Sequence, residues 1–159
     1  MPDMLVKLYN LPDPGPLLER LRTEGIQIKR AMTADKSRVV DFVAANFTAN
    51  WTNECESTFA RLPVNTFIAV KEKRIIGFAS YDAIVRNYFG PTGVLPECRG
   101  MGVGQALLLQ TMHAMHHDGY SYCIIGWVTE ALAFYEKAVG AVAIPDSFPG
   151  GYKDLIDLG

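Results

Sequence analysis

Apolar residues along this chain change period several times, and each change marks a predicted element. Residues 4–9 are a short apolar run that predicts a strand. Leu17, Leu18 and Leu21 then share a helical face, with Asp13 placed to cap the helix and Gly25 to stop it. Between them, Leu11-Pro12-Asp13-Pro14-Gly15-Pro16 is the one loose joint. A strand is predicted over 26–31. Thr33 can cap a helix carrying Val39, Val40, Phe42, Val43 and Phe47, and Asn53 with Glu56 has capping-box spacing for a second helix before Pro63. Residues 66–70 and 75–83 read as strands joined by the polar turn Lys71-Glu72-Lys73-Arg74. After an extended stretch over 88–95, a glycine-rich turn opens a helix that runs to His117 and stops at Gly119. Residues 122–127 predict a mostly apolar strand, and 131–139 a last helix ending at Gly140.

The pattern alternates strands and helices with hairpins in the middle, which is an α/β arrangement. The strand–helix–strand unit over 88–127 predicts a crossover joining two parallel strands. Cys123-Ile124-Ile125 lacks polar alternation and predicts burial on both faces. Residues 1–25 are expected as an accessory strand–helix extension, and residues 26–159 as the main domain.

Composition narrows the function. The chain has 159 residues, ordinary for one domain, with 49% apolar and 20% charged residues. Fifteen basic residues against 17 acidic ones give a net charge of −2, which supplies no basic excess for nucleic acid. No apolar run approaches the ~18 residues of a membrane span. Cys55, Cys98 and Cys123 are odd in number and show no CxxC spacing, which excludes a cysteine zinc site and suits a reducing cytoplasm. His113 and His117 have the i, i+4 spacing of metal ligands, but position 114 is Ala114 and no third ligand is evident, so no metal is expected.

The chemistry concentrates in Val94-Leu95-Pro96-Glu97-Cys98-Arg99-Gly100-Met101-Gly102-Val103-Gly104-Gln105. Three alternate glycines between a strand and a helix let the backbone bend and approach a ligand. The first N–H groups of a helix lack intrahelical partners and sit at the positive end of its dipole, so this turn suits a pyrophosphate. GxxxxGK[ST] is absent, and Leu107 stands where a dinucleotide fingerprint needs its third glycine. A side chain at Gly102 or Gly104 is expected to stand where the phosphate approaches.

Arg99-x-x-Gly102-x-Gly104, after a strand ending at Val94, resembles the acyl-CoA signature of the GCN5-related N-acetyltransferases (GNATs). Downstream, Ala133-Phe134-Tyr135-Glu136-Lys137-Ala138-Val139-Gly140-Ala141 resembles that family's FYEK-x-GF block. The two stand in the family's order with a strand between them, and the likeness runs from Ile26 to about Ala143. It implies an acetyltransferase domain over 26–159 with a mixed, mostly antiparallel central sheet flanked by helices and a splayed parallel strand pair. It implies acetyl-CoA as cosubstrate. Thr92, Gly93 and Val94 would pair with the pantetheine arm, one of their N–H groups polarising the acetyl carbonyl. The turn of Arg99, Gly100, Met101, Gly102, Val103, Gly104 and Gln105 would hold the pyrophosphate, and Tyr135 would protonate the departing thiolate. Two departures stand out. Val128 occupies the place of an Asn that often touches the cofactor, and Val139 lengthens the second block by one residue.

Candidate general bases are Asp82, near the end of a strand, Glu54, beside Trp51 and Asn53, and Glu97; water is a further alternative. The expected acceptor is a small-molecule primary amine such as an amino sugar, amino acid or polyamine. The tail Ser147-Phe148-Pro149-Gly150-Gly151-Tyr152 is placed to close over it. Two other readings stay open at this point: a CoA-binding regulatory module without turnover, and an acetyltransferase of protein N-termini or lysines. A homodimer is compatible with all three.

Overall fold

The computed structural model describes residues 1–157. Its strands are β1 (Met4–Lys7), β2 (Ile26–Arg30), β3 (Thr66–Lys71), β4 (Arg74–Tyr81), β5 (Tyr88–Val94), β6 (Tyr122–Ile125) and β7 (Val142–Ala143). Its helices are α1 (Gly15–Thr23), α2 (Lys36–Asn46), α3 (Ala49–Ser57), α4 (Val103–His117) and α5 (Leu132–Val139). The seven strands form one sheet in the order β2-β3-β4-β5-β6-β1-β7. Every neighbouring pair is antiparallel except β5 and β6, the predicted crossover pair. The sheet is therefore mixed and mostly antiparallel, as expected.

Both faces of the sheet are covered. Leu107, Leu108, Met112 and Met115 of α4 are buried in a core shared with Phe67 and Ala79. On the opposite face Val39 and Val43 of α2 and Cys55 of α3 pack on Ile68 and Phe78. Phe78 and Ala79 are adjacent in β4 yet belong to different cores, as the two-residue period of a strand requires. Each core removes side chains from water at roughly 25 cal/mol per Å² of apolar surface.

β1 lies inside the sheet rather than beside it. Met4 pairs with Ile125 on one side and Ala143 on the other. Met4 and Val6 have no exposed surface, so an apolar strand takes an interior position between β6 and β7. β6 keeps some alternation: Cys123 and Ile125 are buried, whereas Ile124 is half-buried.

Helix α3 starts four residues before the expected Asn53. Thr48 caps it, its Oγ1 accepting the Trp51 N–H at 3.2 Å. Asn53 is therefore interior to the helix. Among the described residues no helix is long and apolar enough to cross a membrane.

Candidate acyl-transfer site

Pairing between β5 and β6 covers only Tyr88–Ile124 and Phe89–Ile125. Beyond that the strands part, for two reasons. The β4–β5 register shifts between Ala79 and Tyr81, a bulge that places the extra residue on β5, and Pro91 in that bulge has no N–H to offer β6. On the other strand, the residues after Ile125 are drawn aside by the N-terminal segment. The Val128 N–H donates to the Pro2 carbonyl at 2.9 Å, and the Trp127 N–H donates to Asp3 Oδ1 at 3.1 Å. Asp3, only 4% exposed, also accepts the Tyr88 hydroxyl at 3.2 Å. One buried carboxylate thus ties together the bases of both parting strands.

The gap holds two chambers. The first, about 600 Å³, is lined by Thr92, Gly93 and Val94 of β5, by Arg99, Gly100, Gly102, Val103, Gly104 and Gln105, and by Phe134 and Tyr135 of α5. Every expected cofactor residue except Met101 borders it. Met101 turns the other way, toward the core, and its carbonyl accepts Arg20 Nη2 of α1 at 2.9 Å.

The backbone of this chamber offers free donors. The Ala106 N–H takes the first helical carbonyl, that of Gly102, and the N–H groups of Gly100 to Gln105 take no acceptor among the described residues. On β5 the Leu95 N–H donates to the Ile76 carbonyl at 2.9 Å. Residues facing the partner alternate along an antiparallel ladder, so Gly93 also faces β4 and the N–H groups of Thr92 and Val94 face the gap.

The glycines of the turn differ in role. Gly102 has φ +91°, and a Cβ there would lie 2.7 Å from Arg20 Nη2 and 3.0 Å from Leu17 Cδ1. Its missing side chain makes room for α1, not for a ligand. Gly104 has only Val94 Cγ2 near, at 3.7 Å, and is the glycine whose side chain would enter the chamber. Gly93 lies under Phe47, whose ring a Cβ would strike.

The second chamber, about 420 Å³, shares Phe89, Thr92, Ala131 and Tyr135 with the first. Its other walls include Trp51 and Glu54, one helical turn apart on α3, with Trp127, Val128 and Tyr152. The Tyr152 hydroxyl donates to Glu54 Oε2 at 3.2 Å. Burial pushes the Glu54 carboxyl up to about 7, and the Tyr152 hydrogen bond only partly counters it. Trp127 stacks on Tyr152 at 4.5 Å and on Phe148 at 5.5 Å, and its Nε1–H donates to the Pro149 carbonyl at 2.8 Å. The tail is fastened over the chamber by that indole and by the Tyr152–Glu54 hydrogen bond.

Tyr135 stands in the shared wall. It is 7% exposed and packs edge-on against Phe89 at 6.4 Å, and its hydroxyl makes no hydrogen bond to another described residue. Burial raises the phenol to about 12, so it keeps its proton at neutral pH.

Of the three carboxylates considered, only Glu54 enters the site. Asp82 borders neither chamber. It closes the β4–β5 hairpin, Oδ1 accepting the Asn87 N–H at 2.8 Å and Oδ2 the Tyr120 hydroxyl at 2.9 Å. A carboxylate at a strand end is taken here by the turn it starts. Glu97 lies in the short 3-10 turn before Arg99 and also borders neither chamber. His113 bonds the Pro12 carbonyl at 2.9 Å. The chain's two tryptophans, Trp51 and Trp127, both line the second chamber, and no local motif in the sequence marks them as site residues.

The sheet is thus opened at one parallel pair, with a donor-lined turn on one side of the gap and a second chamber on the other. The chain belongs to the acetyltransferase (GNAT) family, whose model matches residues 36–141. Acetyl-CoA is the cosubstrate of that family, and the free N–H groups of the turn fit its pyrophosphate. No curated protein sequence matches the chain.

Solved structures share the fold. A GCN5-related glucosamine N-acetyltransferase region of a fungal multi-domain GH3 β-N-acetylglucosaminidase is 17% identical, with a TM-score of 0.72 over 90% of this chain and 19% of that one. A GCN5-related N-acetyltransferase from Sphaerobacter thermophilus is 21% identical, with a TM-score of 0.62 over 90% of this chain and 48% of that one. A GNAT family acetyltransferase from Brucella melitensis in complex with acetyl-CoA is 16% identical, with a TM-score of 0.51 over 69% of this chain and 80% of that one. The chain therefore spans less than half the length of the first two structures it resembles.

Proposed function

We propose that this chain transfers the acetyl group of acetyl-CoA to a primary amine of a small molecule by direct attack. The observation that carries the proposal is the shared wall. Tyr135 and Thr92 border the cofactor chamber and the acceptor chamber alike, so a thioester held in one is presented to an amine held in the other.

Each step then has a residue. Glu54 takes a proton from the incoming ammonium, and a carboxyl near 7 is matched to that task. The neutral amine attacks the thioester carbonyl. The N–H groups of Thr92 and Val94 supply donors for the developing oxyanion. The C–S bond breaks with its electron pair on sulfur, Tyr135, still protonated, gives its proton to the thiolate, and the second proton of the former amine nitrogen returns to the phenolate. The roof of Trp127 and Tyr152 supports a small acceptor over a protein chain, which needs an open groove. The similar fungal region is itself a glucosamine N-acetyltransferase, an enzyme of a small amine. The unpaired thiols of Cys55, Cys98 and Cys123 suit a reducing cytoplasm.

The test is release of free thiol from acetyl-CoA in the presence of a panel of primary amines. Amine-dependent release, with acetylated amine formed in equal amount, is expected. Acetyl-CoA binding without release for any amine would favour a regulatory module instead.

A further inference from the structure

We propose that the acceptor is a monoamine with an apolar, arylalkyl-type body and no acid group. The inference rests on the transferase reading and narrows its substrate class.

Among the described residues Glu54 is the only carboxylic acid in the acceptor chamber, no Lys, Arg or His side chain lines it, and Met1 stands in its wall. One carboxylate matches one ammonium. A substrate carboxylate or phosphate would meet no Lys, Arg or His side chain among the described residues and would share the space with Glu54, so like-charge repulsion opposes it. Amino acids are disfavoured on this ground. The second ammonium of a diamine finds no second carboxylate in the chamber itself; Asp154 lines an adjoining recess that shares Glu54, Ile84 and Tyr152 with it.

The walls are aromatic and aliphatic: Trp51, Ile84, Phe89, Trp127 and Val128. Of the four hydroxyl-bearing residues in the wall, Thr92 and Tyr152 are engaged, and Thr129 and Tyr135 make no hydrogen bond to another described residue. The Thr92 hydroxyl donates to the Phe78 carbonyl at 3.0 Å, and the Tyr152 hydroxyl donates to Glu54. A sugar would bring many hydroxyls to a wall with few free partners, each left unpaired at a cost. A flat or extended apolar body instead meets the Trp127–Tyr152 stack, whose ring centroids lie 4.5 Å apart with planes tilted by 48°. The same faces favour an ammonium passing over them toward Glu54.

The experiment compares four probes: 2-phenylethylamine, phenylalanine, 1,4-diaminobutane and glucosamine. Binding to the CoA-loaded protein is measured by calorimetry, and turnover by thiol release. 2-Phenylethylamine should exceed phenylalanine by about 10-fold or more in kcat/KM, because the two differ by one carboxylate that would stand beside Glu54. It should exceed the diamine and the sugar by about 10-fold. Trp127→Ala should raise its KM about 10-fold with acetyl-CoA affinity unchanged, and Trp127→Phe should restore most of the loss. Preference for phenylalanine, diaminobutane or glucosamine would overturn the inference while leaving the transferase intact. Failure of 2-phenylethylamine to bind would also overturn it. Binding of 2-phenylethylamine without turnover of any amine would instead sink the transferase reading and uphold the ligand class.

Discussion

The two chambers share a wall, yet they are built in different ways. The cofactor chamber is mostly backbone. Its donors come from one contiguous stretch, from Thr92 on β5 to Gln105 on α4, and their direction follows from strand alternation and a helix start. The acceptor chamber is mostly side chain. Trp51 and Glu54 come from α3, Trp127 from beyond β6, Tyr135 from α5 and Tyr152 from the tail. A site made of backbone can be encoded locally by glycines and a helix start. A site made of side chains from distant segments exists only once the whole sheet has formed. The first suits a constant cosubstrate, and the second is where specificity can vary without disturbing it.

The largest test of this contrast removes the segment that opens the acceptor side. Deleting residues 1–25 takes β1 out of the middle of the sheet and Asp3 from Trp127 and Tyr88. It leaves β6 and β7 with unpaired edges and strips the cover of Leu21 from the core. We expect no cooperative thermal transition by circular dichroism. A truncated protein that melts cooperatively and still binds acetyl-CoA would mean that the cofactor half folds alone, and that these residues are an extension in the strict sense.

Catalysis separates the chambers next. Glu54→Gln and Tyr135→Phe should each lower kcat by about 10²–10⁴, the usual worth of a positioned base or acid. Acetyl-CoA affinity should stay within about 2-fold in both, since neither group acts on charge present in the bound ground state. Stopped-flow thiol release and calorimetry on the same preparations give the two numbers. If Glu54→Gln weakened acetyl-CoA binding as much as turnover, the chambers would not be independent.

The sequence is legible in proportion to this locality. The crossover of β5, α4 and β6, the glycine turn and Tyr135 were all readable, because each is announced by neighbours in the chain. Asp82 lies outside both chambers, and the sequence does not show this because a carboxylate at a strand end has the same local appearance whether it faces a substrate or closes a turn. Glu54 was readable as a candidate but not separable from Asp82, since what distinguishes it is burial beneath Tyr152. Trp127, Asp3 and the interior place of β1 depend on pairings between the two ends of the chain, which no local pattern carries. The role of Gly102 was misjudged for the same reason: the helix that needs its missing side chain is α1, far away in sequence.

That correction gives a sharper pair of glycine variants. Gly102→Ala forces a left-handed φ on an L-residue, which costs about 1–2 kcal/mol, and pushes against Arg20. Its melting temperature should fall, with acetyl-CoA affinity per folded molecule changed only slightly. Gly104→Ala lies in an ordinary helical conformation with room beside Val94, so stability should hold or rise slightly. Its methyl group enters the cofactor chamber, and acetyl-CoA affinity should fall by about 10-fold. Calorimetry with thermal melts tests both, and the reverse pattern would return the ligand-facing role to Gly102.

The smallest expected effect is a dependence of stability on pH, and it reads the acceptor chamber without any substrate. Glu54 titrates near 7 in the folded protein against an ordinary value of 4.5, because burial penalises its charged form. Between those values the folded protein holds a proton that the unfolded chain has released. The contribution is therefore complete below about 4.5 and is lost as pH rises through 7. The wild-type protein should lose on the order of 1 kcal/mol between about pH 5 and pH 8 from this group, since Glu54 keeps some contact with solvent. Glu54→Gln carries no titrating group there, so its stability should vary less over that range, with the difference read from urea unfolding at the two pH values. The cofactor chamber offers no matching control carboxylate, which is why Gln at position 54 is the reference. Parallel pH profiles for the two proteins would mean that water already fills the space around Glu54. The roof formed by Trp127 and Tyr152 would then be too loose to tune the base, and the rate of acetyl transfer would rise with pH near 4.5 rather than near 7.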